Sequence, residues 1–188
     1  CPFIKHTRSA AGERDRAGKM TETYVASSVV MINRNGGELL RQALRSCCTS
    51  LERGWAERQD FELIVVDNAS TDDSPKIIQD VLSTASFPNR IVDEPTPGVN
   101  FARNAGLRAA QGQYLIFTDS DLEFSEDWLA AYLEAFAEYP QCRVFAGRVL
   151  LGGFERPAPK WLATSGLFCR PAILCVCDNG EDAAVYRL

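Results

Sequence analysis

The chain has 188 residues, of which 46% are hydrophobic, and it carries a formal net charge of −5. This length supports one sizeable hydrophobic core and is too short for two ordinary domains. Five basic against two acidic side chains give residues 1–19 a charge of +3, which leaves −8 for the rest of the chain. An acidic body of this kind argues against a nucleic-acid-binding surface.

No stretch approaches the roughly 20 apolar residues that cross a bilayer, and no charged head followed by an apolar segment marks a signal peptide. We therefore expect a cytoplasmic protein, or one peripheral to the inner face of a membrane, without an integral membrane segment. The seven cysteines include the adjacent pair Cys47 and Cys48, so reduced thiols are favoured over a secreted disulfide framework. Zinc is disfavoured, because the chain lacks a Cys-x2-Cys pair and its only histidine is His6.

Residues 1–19 are polar and basic and predict no regular structure, which leaves residues 20–188 for the folded domain. Strands are predicted at residues 24–32, 61–66 and 90–93. Apolar residues recur at helical spacing from Leu39 to Leu51, which predicts one buried helical face after the first strand. Pro75 suits the first position of a second helix, with Asp73 or Ser74 as its cap. Small residues within 100–110 permit a third helix to lie close to a sheet.

The most informative stretch is the apolar run at residues 114–118, which predicts a buried parallel strand and ends in Asp119 and Asp121. Ligands bind at the carboxyl ends of such strands, and residues two apart on an extended segment point to the same side. Two neighbouring carboxylates repel each other unless a cation neutralises them, and Mg²⁺ or Mn²⁺ binds carboxylates together with substrate phosphates. The alternative is an acidic turn that caps the next helix.

Ser125 is the predicted N-cap of the following helix, with Glu126 and Asp127 near the positive end of its dipole. Pro140 ends this helix, and residues 143–151 predict another strand before a loop rich in Gly and Pro. The alternation of strands and helices through residue 139 predicts an α/β fold with a mostly parallel sheet and right-handed crossovers.

Four segments in chain order resemble family 2 glycosyltransferases with the GT-A nucleotide-diphospho-sugar fold. Residues 28–40 resemble the first strand, loop and helix of that family, and residues 65–74 resemble its second-strand motif. Residues 98–106 resemble its donor-binding loop and helix, and Phe-Thr-Asp-Ser-Asp at 117–121 resembles its metal-binding DXD signature. The resemblance implies a three-layer α/β/α sandwich with a nucleotide-binding half at residues 20–121 and an incomplete acceptor half at residues 122–188.

The resemblance also implies an activity: inverting transfer of a sugar from a nucleotide diphosphate, with a UDP-sugar favoured, to an acceptor hydroxyl. The acceptor could be a saccharide, a lipid or a protein, and Mg²⁺ or Mn²⁺ would assist. The roles implied for individual residues are the nucleotide cleft for Asn33, the base for Asp67, the diphosphate for Arg103, the ribose or sugar and the metal for Asp119, the metal for Asp121, and the general base for Asp182.

Some features depart from the family pattern, which has Pro-Thr-aromatic where this chain has Ile32, Asn33 and Arg34. The chain also ends six residues after Asp182, which suggests a truncated acceptor half and an alternative function as a nucleotide-sugar-binding module with little or no turnover. A nucleotidyltransferase is a third hypothesis, for which the loop at residues 33–37 is a poor phosphate loop. Purely structural roles stay open for three residues: a turn at Ser70 for Asp67, a solvated charge for Arg103 and a helix start for Asp182.

Overall fold

The computed structural model describes residues 13–14, 20–21, 27–57, 60–147 and 149. The chain divides into two compact units, residues 1–129 and 130–188. Strand β1 (Glu13–Arg14) pairs antiparallel with β2 (Met20–Thr21), although the sequence predicts no regular structure for residues 1–19. Asp182 and the loop predicted at residues 152–159 lie outside the described residues.

The first unit is built on a four-stranded parallel sheet with the order β5-β4-β3-β6. Each of its strands is formed by a segment that contains β-branched or aromatic residues, as the sequence predicts. The bounds are Ser27–Asn33 for β3, Phe61–Asp67 for β4, Asn89–Asp93 for β5 and Tyr114–Asp119 for β6.

Three helices connect these strands: α1 (Gly37–Ala56), α2 (Ser74–Leu82) and α3 (Val99–Ala109). The chain runs from β3 to β4 and then to β5 in one direction across the sheet. It then crosses back over β4 and β3 and adds β6 on the other side of β3. Right-handed crossovers therefore place α1 and α2 on one face of the sheet and α3 on the other. The predicted three-layer α/β/α arrangement is confirmed.

The core lies on both faces of the two central strands, where Val30 and Ile64 have no exposed surface. Both side chains pack with Ala102 and Ala105 of α3. A Cβ on Gly106 would collide with Cγ1 of Val30, so this helix lies against the sheet because its inner face is made of small residues. The expectation drawn from those small residues is confirmed.

Helix α1 buries the predicted stripe, including Leu40, Leu44 and the two adjacent cysteines. Cys47 and Cys48 are free, and burial raises the pKa of the Cys48 thiol to about 12. Leu39 does not follow the prediction, since 59% of it is exposed. It belongs instead to a cleft wall described below. Among the described residues, no helix is both long and apolar enough to cross a bilayer.

The predicted cap at Ser125 is wrong, because helix α4 (Trp128–Glu138) begins three residues later. Glu126 and Asp127 precede it in a turn, where both carboxylates pair with Arg53 near the end of α1. The shorter of these ion pairs, Arg53 Nη1 to Asp127 Oδ1, spans 2.7 Å. Both acidic residues still directly precede the amino terminus of α4, and the structure adds an ion-pairing partner from α1.

The strand predicted at residues 143–151 is also wrong for residues 143–147, which lie in no helix or strand. The ring of Phe145 packs edge-on against that of Phe136, with centroids 5.0 Å apart. Gly147 approaches the hydroxyl of Tyr132 so closely that a Cβ would collide with it. Contacts with α4 within the second unit therefore determine the path of this segment.

A buried carboxylate lies where β4 begins, at the amino-terminal edge of the sheet. Glu62 is 2% exposed and accepts hydrogen bonds from Ser28 Oγ at 2.7 Å and from the backbone N–H of Gln111 at 2.7 Å. Arg90 of β5 completes the set with an ion pair of 2.5 Å. One carboxylate thus joins β3, β4, β5 and the segment that follows α3.

Candidate functional site

An open cleft of about 450 Å³ lies at the carboxyl-terminal edge of the sheet. It is lined by the ends of β3 and β6, by the first residue after β4 and by the amino terminus of α3. The strand order reverses between β3 and β6, because the chain builds β4 and β5 on one side of β3 and β6 on the other. Ligands of open α/β sheets bind at such a switch point.

Asp119 and Asp121 both line this cleft, as the sequence predicts from their spacing. Both are exposed, and neither has a hydrogen bond or ion pair within the described part of the chain. The described residues contain no group of three or more metal-ligating side chains, so a cation here would need further oxygen ligands from its substrate. Two unpaired carboxylates are the donor set that a hard divalent cation uses when phosphates complete its shell.

Asn33 lies at the bottom of the cleft and is 3% exposed. Its Nδ2 donates to Asp67 Oδ1 at 3.0 Å and to Ser70 Oγ at 3.2 Å. These two bonds fix the orientation of the carboxamide, and its Oδ1 has no partner in the described structure. The structure thus brings Asn33 to the predicted nucleotide cleft, held there by the neighbouring strand.

Asp67 ends β4 next to this cleft but does not line it. The carboxylate is 5% exposed and accepts from Asn33, from Ser70 Oγ at 2.6 Å and from the backbone N–H of Ser70 at 3.3 Å. Its contacts are those of a residue that organises a turn and orients Asn33. Recognition of a base by Asp67 stays a prediction.

The loop after β3 is attached to the turn after β4 through Asn35. This residue adopts the left-handed conformation with φ +53°, which asparagine tolerates better than most side chains. Its backbone N–H donates to Ser70 Oγ at 2.9 Å, and its Oδ1 accepts from the backbone N–H of Thr71 at 2.7 Å. The two loops therefore form one connected rim of the cleft.

Two glycines continue this attachment at the start of α1. The backbone N–H of Gly36 donates to Ser74 Oγ at 3.1 Å, and that of Gly37 donates to Asp72 Oδ2 at 3.1 Å. Asp73 occupies the N-cap position of α2, as predicted, but its side chain makes no capping hydrogen bond. The backbone N–H of Ser74 donates instead to Asp72 Oδ1 at 3.0 Å. Hydrogen bonds from Ser74 and from the Gly37 N–H lower the pKa of the Asp72 carboxyl below its usual value.

The opposite rim is positioned by Asn68, a residue that the sequence does not single out beyond the motif it belongs to. Its Nδ2 donates to the carbonyl oxygens of Glu94 at 3.1 Å and Thr96 at 2.6 Å. Its Oδ1 accepts from the N–H of Gly98 at 2.7 Å. Asn68 thereby sets the loop before α3 and, with it, the helix amino terminus that faces the cleft.

Arg103, the side chain predicted to contact the diphosphate, is not among the residues that line the cleft. It is exposed on α3, whereas Arg34 does line the cleft. Asp182 lies outside the described residues. Of the predicted site residues, the structure brings Asn33, Asp119 and Asp121 together around one cleft, with Asp67 directly behind Asn33.

A parallel sheet with an open cleft at its switch point defines the class of open-sheet α/β proteins, whose ligands bind at this place. A family model described as Glycosyl transferase family 2 matches residues 28–160 of this chain. The chain therefore belongs to glycosyl transferase family 2, and the resemblance drawn from its motifs is confirmed.

Curated relatives agree with this assignment. A putative teichuronic acid biosynthesis glycosyltransferase, TuaG of Bacillus subtilis, is 28% identical over 143 residues, covering 76% of this chain and 54% of the relative. A poly(ribitol-phosphate) beta-glucosyltransferase of Bacillus spizizenii is 32% identical over 136 residues, covering 71% of this chain and 20% of the relative. The chain thus spans about half or less of the length of these relatives.

Solved structures show the same fold. The S. aureus protein TarS, residues 1–349, matches 73% of this chain with a TM-score of 0.52 at 22% identity, over 39% of its own length. The mannosyltransferase PcManGT from Pyrobaculum calidifontis, solved with GDP-Man and Mn²⁺, matches 61% of this chain with a TM-score of 0.54 at 26% identity, over 33% of its own length. The predicted GT-A type of α/β fold is confirmed.

Proposed function

We propose that this chain binds a nucleotide-sugar, with a UDP-sugar favoured, and transfers the sugar with inversion to a hydroxyl of a saccharide, lipid or protein acceptor. The observation that carries the proposal is the cleft at the β3/β6 switch point in a member of glycosyl transferase family 2, lined by the carboxylates of Asp119 and Asp121, which have no partner among the described residues. The GDP-Man and Mn²⁺ of PcManGT support a nucleotide-sugar donor used with a divalent cation.

Asp119 and Asp121 are the residues that would hold Mg²⁺ or Mn²⁺. Their oxygens are hard donors, and their exposure leaves room for phosphate oxygens to complete the coordination. When bound there, such an ion would supply electrostatic stabilisation for the negative charge of a departing diphosphate. Asp119 is also proposed to contact the ribose or sugar, because it lies at the very end of β6.

The remaining cleft residues fit the less polar parts of such a donor. Leu39 and Val99 line the cleft from α1 and α3 and are 59% and 49% exposed. Their apolar side chains suit the faces of a base or sugar ring, in a pocket whose few polar groups fix orientation. Asn33, held by Asp67 and Ser70, is proposed to recognise the nucleotide through its Oδ1, which has no partner among the described residues.

In the proposed reaction, the acceptor oxygen forms a bond to the anomeric carbon on the face opposite the diphosphate. The bond between that carbon and the diphosphate oxygen breaks, and the oxygen keeps the electron pair. The proton of the acceptor hydroxyl passes to a carboxylate, for which Asp182 is the proposed base. The products are the glycosylated acceptor and the nucleoside diphosphate.

A thermal-shift screen of UDP, GDP and their sugars, each with and without Mn²⁺, tests the donor half of the proposal. A ligand that binds only the folded chain raises its melting temperature, and we expect a shift with a nucleoside diphosphate that is larger when Mn²⁺ is present. Absence of any shift with all nucleotides would contradict the proposal. Binding followed by no release of sugar to water or acceptor would favour the nucleotide-sugar-binding module instead.

A further inference from the structure

We infer that Arg34 is the side chain that binds the diphosphate of the donor, a role that the family resemblance assigns to Arg103. The inference rests on the proposed function and adds to it the residue that recognises the anionic group. Arg34 lies in the first turn after β3, directly beside the predicted nucleotide residue Asn33.

The charges around the cleft carry the first step. Three charged side chains line it: Asp119 and Asp121, which are negative, and Arg34, which is positive. A nucleoside diphosphate is anionic, so it cannot approach two carboxylates favourably unless cations offset the repulsion. A divalent ion bound to the carboxylates would offset part of this repulsion. Arg34 is the positively charged side chain that the described part of the chain presents to the cleft.

The guanidinium of Arg34 also forms no ion pair with a described acidic side chain. Arg34 is exposed, and no described carboxylate lies within 4.0 Å of its guanidinium. The adjoining turn carries three acidic side chains, and two of them are engaged, Asp67 by Asn33 and Ser70 and Asp72 by backbone N–H groups of Gly37 and Ser74. The third, Asp73, forms no ion pair with Arg34. An anion therefore meets a guanidinium with free donors rather than an existing ion pair.

The backbone on both sides of Arg34 is fixed. Asn33 is held through its side chain by β4, and Asn35 is held by Ser70 and Thr71. The Cα and Cβ atoms of Arg34 are thus positioned before ligand binding, so less conformational freedom is lost when the ligand binds. A guanidinium attached to this fixed backbone can donate two parallel hydrogen bonds to phosphate oxygens, which a lysine cannot do.

Arg103 lacks these features. It is exposed on the part of α3 that does not line the cleft, whereas Gly98, Val99 and Ala102 of the same helix region do line it. Its expected contact with the diphosphate stays a prediction, and the experiment below compares the two arginines directly.

The experiment uses the whole chain and four variants: Arg34→Ala, Arg34→Lys, Arg103→Ala and Arg45→Ala as a matched control. Arg45 is an exposed arginine of α1 that does not line the cleft. Calorimetry with Mn²⁺ measures the dissociation constant of UDP or GDP, whichever the unaltered chain binds. A titration followed by ligand NMR measures the affinity of the matching nucleoside. Thermal unfolding shows that each variant is folded.

We expect Arg34→Ala to weaken nucleoside diphosphate binding about 10- to 100-fold, since charge-assisted hydrogen bonds are lost. Arg34→Lys should retain part of the affinity, the nucleoside should bind Arg34→Ala as well as before, and Arg45→Ala should match the unaltered chain. The affinity of Arg34→Ala should also depend less on salt.

Three results would overturn the inference. Unchanged diphosphate affinity in Arg34→Ala removes the role, and an equal loss for the nucleoside shows that the guanidinium stacks on the base. A loss in Arg103→Ala alone returns the diphosphate to Arg103. Each of these leaves donor binding itself intact, whereas an unaltered chain that binds neither UDP nor GDP contradicts the proposed function as well.

Discussion

The acidic side chains at the two edges of the parallel sheet differ in exposure and in hydrogen bonding. At the amino-terminal edge, Glu62 is 2% exposed and every contact it makes is with the protein: a hydroxyl, a backbone N–H and Arg90. At the carboxyl-terminal edge, Asp119 and Asp121 are exposed and have no hydrogen-bond or ion-pair partner in the described part of the chain.

The difference separates a structural carboxylate from a candidate ligand-binding one. A buried charge is tolerated only when protein groups replace its lost water, so Glu62 has its partners in the folded chain. Exposed carboxylates keep their water and retain free acceptor oxygens for a cation. Asp67 combines both situations, because it lies at the carboxyl-terminal edge yet is buried and bound by Asn33 and Ser70.

The largest effect is expected for Glu62→Ala. The substitution leaves the Ser28 hydroxyl without its acceptor and Arg90 without its ion pair, and the Gln111 N–H keeps only its longer hydrogen bond to Ser28 Oγ at 3.1 Å. These losses should lower the free energy of unfolding by about 3 kcal/mol. Denaturant unfolding measures it. A loss below about 1 kcal/mol would mean that water replaces the carboxylate and that the edge is less closed than its burial indicates.

A substitution at the carboxyl-terminal edge should change ligand affinity and leave the free energy of unfolding nearly unchanged. Asp121→Ala should change the free energy of unfolding by less than about 0.5 kcal/mol, because the side chain is exposed and has no partner in the described ranges. Affinity for UDP in the presence of Mn²⁺ should fall to its metal-free value, a loss of about 2 kcal/mol if binding weakens some 30-fold.

Calorimetry with and without Mn²⁺ measures the effect of Asp121→Ala, with Asp127→Ala as control. That aspartate is also exposed but does not line the cleft, and it pairs with Arg53. Metal-dependent UDP binding that survives in Asp121→Ala would show that the carboxylate is not a ligand.

The smallest effect concerns strain in the turn that supports the cleft. Ala69 has φ +53°, a left-handed conformation that costs a residue with a Cβ about 1 kcal/mol. Ala69→Gly removes this cost but increases the freedom of the unfolded chain, so a net gain of about 0.5 kcal/mol is expected. Ala110→Gly, at φ −63°, is the control and should lose stability. Destabilisation by both changes alike would mean that the turn stores no strain.

Much of the fold could be predicted from short-range pattern. The four parallel strands, the buried stripe of α1 and the close approach of α3 all follow from apolar periodicity and from small residues, which act over a few positions. The same reasoning predicted Asp119 and Asp121 at one edge, because spacing along an extended strand determines direction. It failed at Ser125, because α4 begins three residues later, and it did not predict the ion pairs that the acidic neighbours form with Arg53 from α1.

The sequence by itself determined the α/β class, the family and the position of two carboxylates at the end of a buried strand. Only the tertiary structure decided which polar groups are satisfied: Glu62 is enclosed by partners, Asp67 is turned toward Asn33, and Arg34 lines the cleft with no ion-pair partner among the described residues. The physical reason is the range of the interactions. Periodicity and motif spacing are local properties of the chain, whereas hydrogen-bond satisfaction depends on residues about 30 or more positions apart that meet only when the sheet forms.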